Sequence, residues 1–286
     1  MRATREKFSP EILLTSRKDI VDYCGRLKPH TDMKKLLLSS LAAATLAVGS
    51  NAYALIASDN ASNYGSGWTN GSDGGTGFQP WSLSSGAGTG SAGWFIGDPS
   101  SGGIGGMSAT SFGLYANTNG TGAYVNADRA FDSAMSVGDV LSFQWSINYD
   151  SGTDGNKGFN LYTGGVGGTQ LINVNNAGSS AITLGGNDIG FAYGTNAMTW
   201  TFTLTDATTL AVTATARTNG GASFSTNVTV SAAPDSFRFY ASQMQAGDQA
   251  QPYFNNLSVV PEPSTYALLA MSAAGMAGYV IRRRRR

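Results

Sequence analysis

The stretch "TFTLTDATTLAVTATA", residues 201–216, alternates threonine with Phe, Leu, Leu and Val almost without a break. Strict period-two alternation places one set of side chains on each face of an extended chain, the signature of a half-buried β-strand. The run reads as two strands joined by a short turn at Asp206-Ala207. The same alternation recurs in "VLSFQWSINY" (140–149), "MTWTFTLT" (198–205), "TTLAVTATAR" (208–217), "SFSTNVTV" (223–230) and "SFRFYA" (236–241). Between these runs lie clusters such as "DSGTDGNKG" and "TNGGA", whose Gly, Asn and Asp supply turn geometry. No helix is expected between residues 55 and 260. With 38 glycines and only 13% charged residues, the chain has the composition of many short strands. The expected fold is all-β, a single two-sheet antiparallel jelly-roll sandwich over residues 55–260, long enough to bury a substantial core.

Both ends depart from this pattern. "MKKLLLSSLAAATLAVGSNAYA", residues 33–54, has two lysines, an apolar run and small residues flanking Tyr53, the three-part layout of a secretory signal peptide. Cleavage is expected after Ala54, with delivery by the Sec export machinery. Residues 1–32 have no place ahead of such a leader, so Met33 is the expected start and 1–32 an over-called extension. The single Cys24 and single His30 both fall in that extension, which leaves the body without a disulfide although export would allow one.

At the other end, "VVPEPSTYALLAMSAAGMAGYVIRRRRR" closes the chain. Pro261 and Pro263 fix an extended backbone and remove donors, so the segment is expected to be an exposed spacer that does not continue a strand. Residues 264–281 carry no charge. As a helix they span about 27 Å, enough to cross a bilayer core once. Arg282, Arg283, Arg284, Arg285 and Arg286 then form a stop that stays cytoplasmic by the positive-inside rule.

The order of "PEPS" at 261–264, one spanning helix and a terminal arginine cluster resembles the PEP-CTERM sorting signal of Gram-negative bacteria. The resemblance implies recognition by an exosortase, a membrane-embedded cysteine protease or transpeptidase that acts near the motif and releases the body to the exterior, often in bacteria that make exopolysaccharide. Carried over, Pro261, Glu262 and Pro263 are the recognition element, residues 264–281 the transient anchor and the five arginines the cytoplasmic stop. The body segments "GWTNGSDGGTGFQPWSL", "AGWFIGDPSSGG", "SFGLYANT", "RAFDSAMSVGDVLSFQW", "GFNLY" and "YFNNLSVVPEP" resemble a body type that recurs with this signal, of concanavalin-like lectin/glucanase sandwich shape. That resemblance lends a fold and no activity.

The chemistry available to the body is narrow. Residues 55–260 hold no His, Cys or Glu, which removes a Ser-His-Asp triad, a Cys-His pair, a His-ligated zinc and a glutamate glycosidase pair. An enzyme is therefore not expected. Four cations, Arg129, Lys157, Arg217 and Arg238, stand against twelve aspartates, a formal charge of −8 that disfavours nucleic acid. Asp150, Asp154 and Asn156 in "DSGTDGNKG" form the one candidate calcium site, with hard oxygen ligands in a Gly-rich turn. The spacing departs from the EF-hand loop and no Glu closes it, so a solvated hairpin tip is the favoured reading. Trp145 and Trp200 sit in alternating strands and read as core. Trp68, in a polar Gly/Ser-rich stretch, is the candidate sugar-stacking residue. Two functions follow: a structural cell-surface or extracellular-matrix protein associated with exopolysaccharide, or a non-catalytic carbohydrate-binding module with the same delivery.

Overall fold

The computed structural model describes residues 56–261, apart from residue 66 and residues 118–121, 152–154, 179–180, 192–193 and 216–222, together with Gly275 and Arg283. Two antiparallel sheets make up this body. The first runs in the order β13 (Phe224–Thr229), β12 (Thr209–Ala214), β11 (Met198–Asp206), β6 (Asp139–Ser146), β15 (Tyr253–Pro261), β4 (Ser111–Asn117) and β3 (Ser91–Gly97), with β1 (Ala57–Asp59) also paired to β15. The second runs β10 (Asn187–Asp188), β9 (Ile182–Leu184), β8 (Thr169–Ala177), β7 (Asn156–Thr163), β14 (Ser236–Ser242), β5 (Tyr124–Ala130) and β2 (Ser82–Gly86). Among the described residues of the body, helical structure is limited to three short 3-10 turns.

The alternation in the sequence becomes the inside and outside of the sandwich. In β11, Met198, Trp200, Phe202 and Leu204 are buried, and in β12 Leu210, Val212 and Ala214 join them across a register that pairs Phe202 with Val212. The threonines between them line the outer face. Trp145 and Trp200 are both fully buried, as their strands require. Rings close the gap between sheets: Phe239 stacks on Phe254 at 3.8 Å, and Phe159 meets Phe143 at 4.8 Å and Trp200 at 5.0 Å. The β11–β12 turn falls one residue later than the sequence suggests. Its last pair is Asp206 with Thr209, and Asp206 Oδ1 accepts from the Thr208 N–H at 2.8 Å, which ties the turn at Ala207-Thr208.

β15 occupies the middle of the first sheet and corrects the expected spacer. Pro261 is its last residue, paired with Asp139 of β6, so the first proline of the closing motif does continue a strand. A missing N–H is tolerated at a strand terminus, where no further rung depends on it. On its other edge β15 pairs with β4 through Tyr253 and Phe254, and after a bulge with β1 through Leu257, Ser258 and Val259. Ile56 N–H extends that ladder to Val259 O at 2.9 Å. The far side of β1 is also paired, by reciprocal 2.9 Å bonds between Ser58 and Thr76. Gly77 makes this close approach possible: its φ is +72°, and a Cβ there would lie 2.1 Å from Ile56 O.

The irregular segment between β1 and β2 is organised around one cation that comes from the opposite sheet. Arg129 of β5 pairs with Asp59 of β1, both side chains fully buried. Its Nη2 donates to Asp73 at 2.8 Å and its Nε to Gln79 O at 2.7 Å. The guanidinium lies 5.0 Å from the ring centres of both Phe78 and Trp81. Asp59 Oδ2 also accepts from Tyr64 Oη at 2.6 Å and Trp81 Nε1 at 3.0 Å. Burial pushes the Tyr64 phenol up to about 12, with the bond to the Asp59 carboxylate adding to the shift.

Removing one partner strands the other charge in the core. Asp59→Ala is expected to lower unfolding free energy by about 3–5 kcal/mol, and Asp59→Leu combined with Arg129→Met to recover a large part of it, by denaturant unfolding. Tyr64 predicts an alkaline limit. Because its folded pKa stands above the ordinary 10.0, its contribution is complete below pH 10 and is lost as pH rises toward about 12. Melting curves over that window should fall less steeply for Tyr64→Phe than for the unaltered chain.

Candidate functional site

Ion pairing decides which charges face solvent. Arg129 is held as described, Lys157 pairs with Asp150 with both side chains fully buried, and Arg238 grips Asp128 with two bonds of 2.6 and 2.9 Å. Arg217 lies outside the described residues. Asp73, Asp98, Asp132, Asp188, Asp206 and Asp248 are exposed, so the accessible charge among the described residues of the body is overwhelmingly carboxylate. Such a surface repels polyanions.

Lys157 already engages one carboxylate of the candidate calcium site. Asp150 turns inward, where its Oδ2 takes the Lys157 ammonium and its Oδ1 accepts from Gln245 N–H at 3.2 Å. Gly155 leaves the room for this, since a Cβ there would be 2.8 Å from Asp150 Oδ2. The Asn156 amide oxygen accepts from Asn175 at 2.9 Å, and Asp154 lies outside the described residues. A carboxylate already neutralised by a buried ammonium is a poor cation ligand. Burial pushes the Lys157 ammonium below its ordinary value, and Asp150 opposes the shift.

Trp68 offers no face to a sugar. It is 4% exposed, and its ring meets Phe112 at 4.6 Å, Trp81 at 5.2 Å and Phe254 at 5.8 Å. The polar stretch around it is wound about Arg129, which carries Trp68 into the core. No feature of the local sequence shows this, because the cation responsible stands 70 positions beyond Asp59.

The outward face of the second sheet is rich in amides, but they bind one another. Asn173 donates to Asn160 at 2.7 Å and to Tyr240 Oη at 3.2 Å, and Tyr240 in turn reaches Asn175 at 3.0 Å. Burial pushes the Tyr240 phenol up to about 12. This face is a closed ladder with its polar groups already engaged.

An open concavity lies elsewhere, where the sheets end together. The inward residues of β13, Phe224, Thr226 and Val228, are only half-buried, because the facing sheet there is reduced to β8 and the short β9–β10 hairpin. Between them is a cleft of about 440 Å³ with Leu184 and Ile189 on the far wall and Asn187 and Asp188 at the rim. The sequence marks β13 only as an alternating strand, so this cleft was not foreseen there.

The closing segment gives the other functional feature, and here the comparison with known proteins is informative. Residues 259–286 match the PEP-CTERM protein-sorting motif, which marks a chain that is exported and handled by an exosortase. The match begins at Val259, inside β15. Of its predicted parts, Pro261 is described as above; Gly275 and Arg283 have helical backbone; Glu262, Pro263 and the other arginines lie outside the described residues. Among the described residues no helix is long and apolar enough to cross a membrane, and the predicted span, apart from Gly275, and the leader before Leu55 fall outside them. No curated protein matches the chain. Among solved structures, the globular domain of T. cruzi calreticulin is similar at 10% identity and a TM-score of 0.40, covering 70% of this chain and 94% of that one. The cellulose induced protein Cip1 is similar at 11% identity and 0.39, covering 63% and 90%. A glycosyl hydrolase family protein from Mycobacterium fortuitum is similar at 14% identity and 0.32, covering 52% and 74%. At that distance no property of theirs transfers to this chain.

The Asp150–Lys157 pair predicts how calcium will behave. Lys157→Met should lower stability by about 3–5 kcal/mol by leaving the carboxylate buried without its cation. Millimolar calcium should leave the melting temperature of the unaltered chain unchanged; saturable stabilisation would restore the metal site.

Proposed function

We propose that the chain is a structural protein of the cell exterior, exported through the Sec machinery, held briefly by residues 264–281 and processed by an exosortase at its PEP-CTERM signal. The mature body is a non-catalytic β-sandwich of the cell surface or exopolysaccharide-rich matrix. The observation that carries this reading is the junction at Pro261, where the sorting motif begins on the last rungs of β15. Among the described residues no strand follows Pro261, so a body that ends there keeps every described strand of its two sheets. The carboxylate surface suits a hydrated exterior, and the buried ion pairs supply cross-links in a body without cysteine. The lack of His, Cys and Glu in the body supports the non-catalytic part.

Terminal peptide mapping by mass spectrometry tests this, comparing protein recovered outside the cells with protein in the membrane fraction. The expected external form begins at Leu55 and ends between Pro261 and Pro263. An external or membrane form that keeps all five arginines in a strain with an active exosortase would make the tail a permanent anchor and overturn the processing.

A further inference from the structure

We propose that the cleft between β13 and the β8–β10 end of the second sheet is a binding site for an uncharged saccharide. Its shape comes from the way the sandwich ends. The inward side of a sheet normally meets the facing sheet and is buried, as Met198, Trp200 and Phe202 are in β11. In β13 the corresponding residues Phe224 and Val228 remain half-exposed while packing at their inner ends against the core cluster. The Phe224 ring and Val228 are thus left partly uncovered on one side of a space of about 440 Å³, with Leu184 and Ile189, each 8% exposed, forming the far wall. That volume lies within the range of small-molecule sites, about 300–1,000 Å³.

The rim selects the chemistry. Asn187 presents a side-chain amide that donates to and accepts from no other described residue and can serve a hydroxyl both ways. Asp188 supplies a carboxylate whose Oδ1 is fixed by the Gly190 N–H at 2.7 Å. No cation is among the described lining residues, so phosphate, sulfate and uronate groups would meet a carboxylate and no counter-charge. A sugar ring has the matching amphipathy, with a C–H face for Phe224 and the aliphatic wall and a hydroxyl edge for the Asn187 amide and Asp188. The Asn/Tyr ladder on the outer face of the second sheet lacks this combination, because its polar groups bind one another.

The test uses the full chain in a non-glycosidic detergent, applied to an array of gluco-, manno- and galacto-oligosaccharides beside oligogalacturonates. Neutral oligosaccharides should bind and the uronates should not. Phe224→Ala should weaken the strongest neutral binder by about tenfold, equivalent to about 1.4 kcal/mol. Asn187→Ala, on the exposed two-residue strand β10, should weaken it several-fold without moving the melting temperature, and it carries the test if Phe224→Ala fails to fold. Absence of neutral binding, equal binding of uronates, full binding by Asn187→Ala, or full binding by a folded Phe224→Ala would each overturn the site. The readout does not depend on export or processing, so failure of the sorting proposal leaves it intact.

Discussion

The pairing of Asp59 with Arg129 joins strands of opposite sheets and fixes everything between β1 and β2. Its two groups are fully buried, a costly arrangement that holds only because nearly every hydrogen-bonding position is filled. Tyr64, Trp81, Asp73 and Gln79 O fill them, and each belongs to the irregular segment that would otherwise have no reason to pack. Two aromatic rings flank the guanidinium, and a third, Trp68, is laid over Trp81 and Phe112. A chain with no cysteine in its body thus obtains, from one charged contact, the order that small exported proteins often draw from disulfides.

The same device explains the surface. Sinking Arg129, Lys157 and most of Arg238 into pairs consumes the described cations of the body and leaves carboxylates outside. Polyanions are excluded from such a protein, and an uncharged polyol is the class of carbohydrate that meets no electrostatic penalty at the open end of the sandwich.

Period-two alternation made the strands of the sandwich legible. Residues 198–205 became β11 and residues 236–241 became β14 because each strand has one buried and one outer face, a local property. Partnership across the fold was not legible. Pro261 looked like a spacer because proline cannot donate, yet strand geometry at the end of a ladder needs no donor, and its partner Asp139 lies far away in sequence. Trp68 looked exposed and Asp150 looked like a ligand for the same reason: polar, glycine-rich sequence describes a turn but not what the turn closes over. The cleft depends on how far two edge strands overhang each other, which no single strand encodes.

β1 and β15 run antiparallel in a register that sets Ala57 against Val259, so Ile56 and Pro261 leave the sheet at the same end. Mechanically this places the first and last described strands in an unzipping arrangement. A pull between the two ends opens their ladder one rung at a time, whereas ends at opposite poles would load all rungs together in shear. The rungs at Ala57 and Ser58 are the first to yield, and the third is Asp59, where the tear meets a residue bonded into the opposite sheet. The fold therefore has a soft lip only two residues deep, backed by a clasp that transfers the load to both sheets.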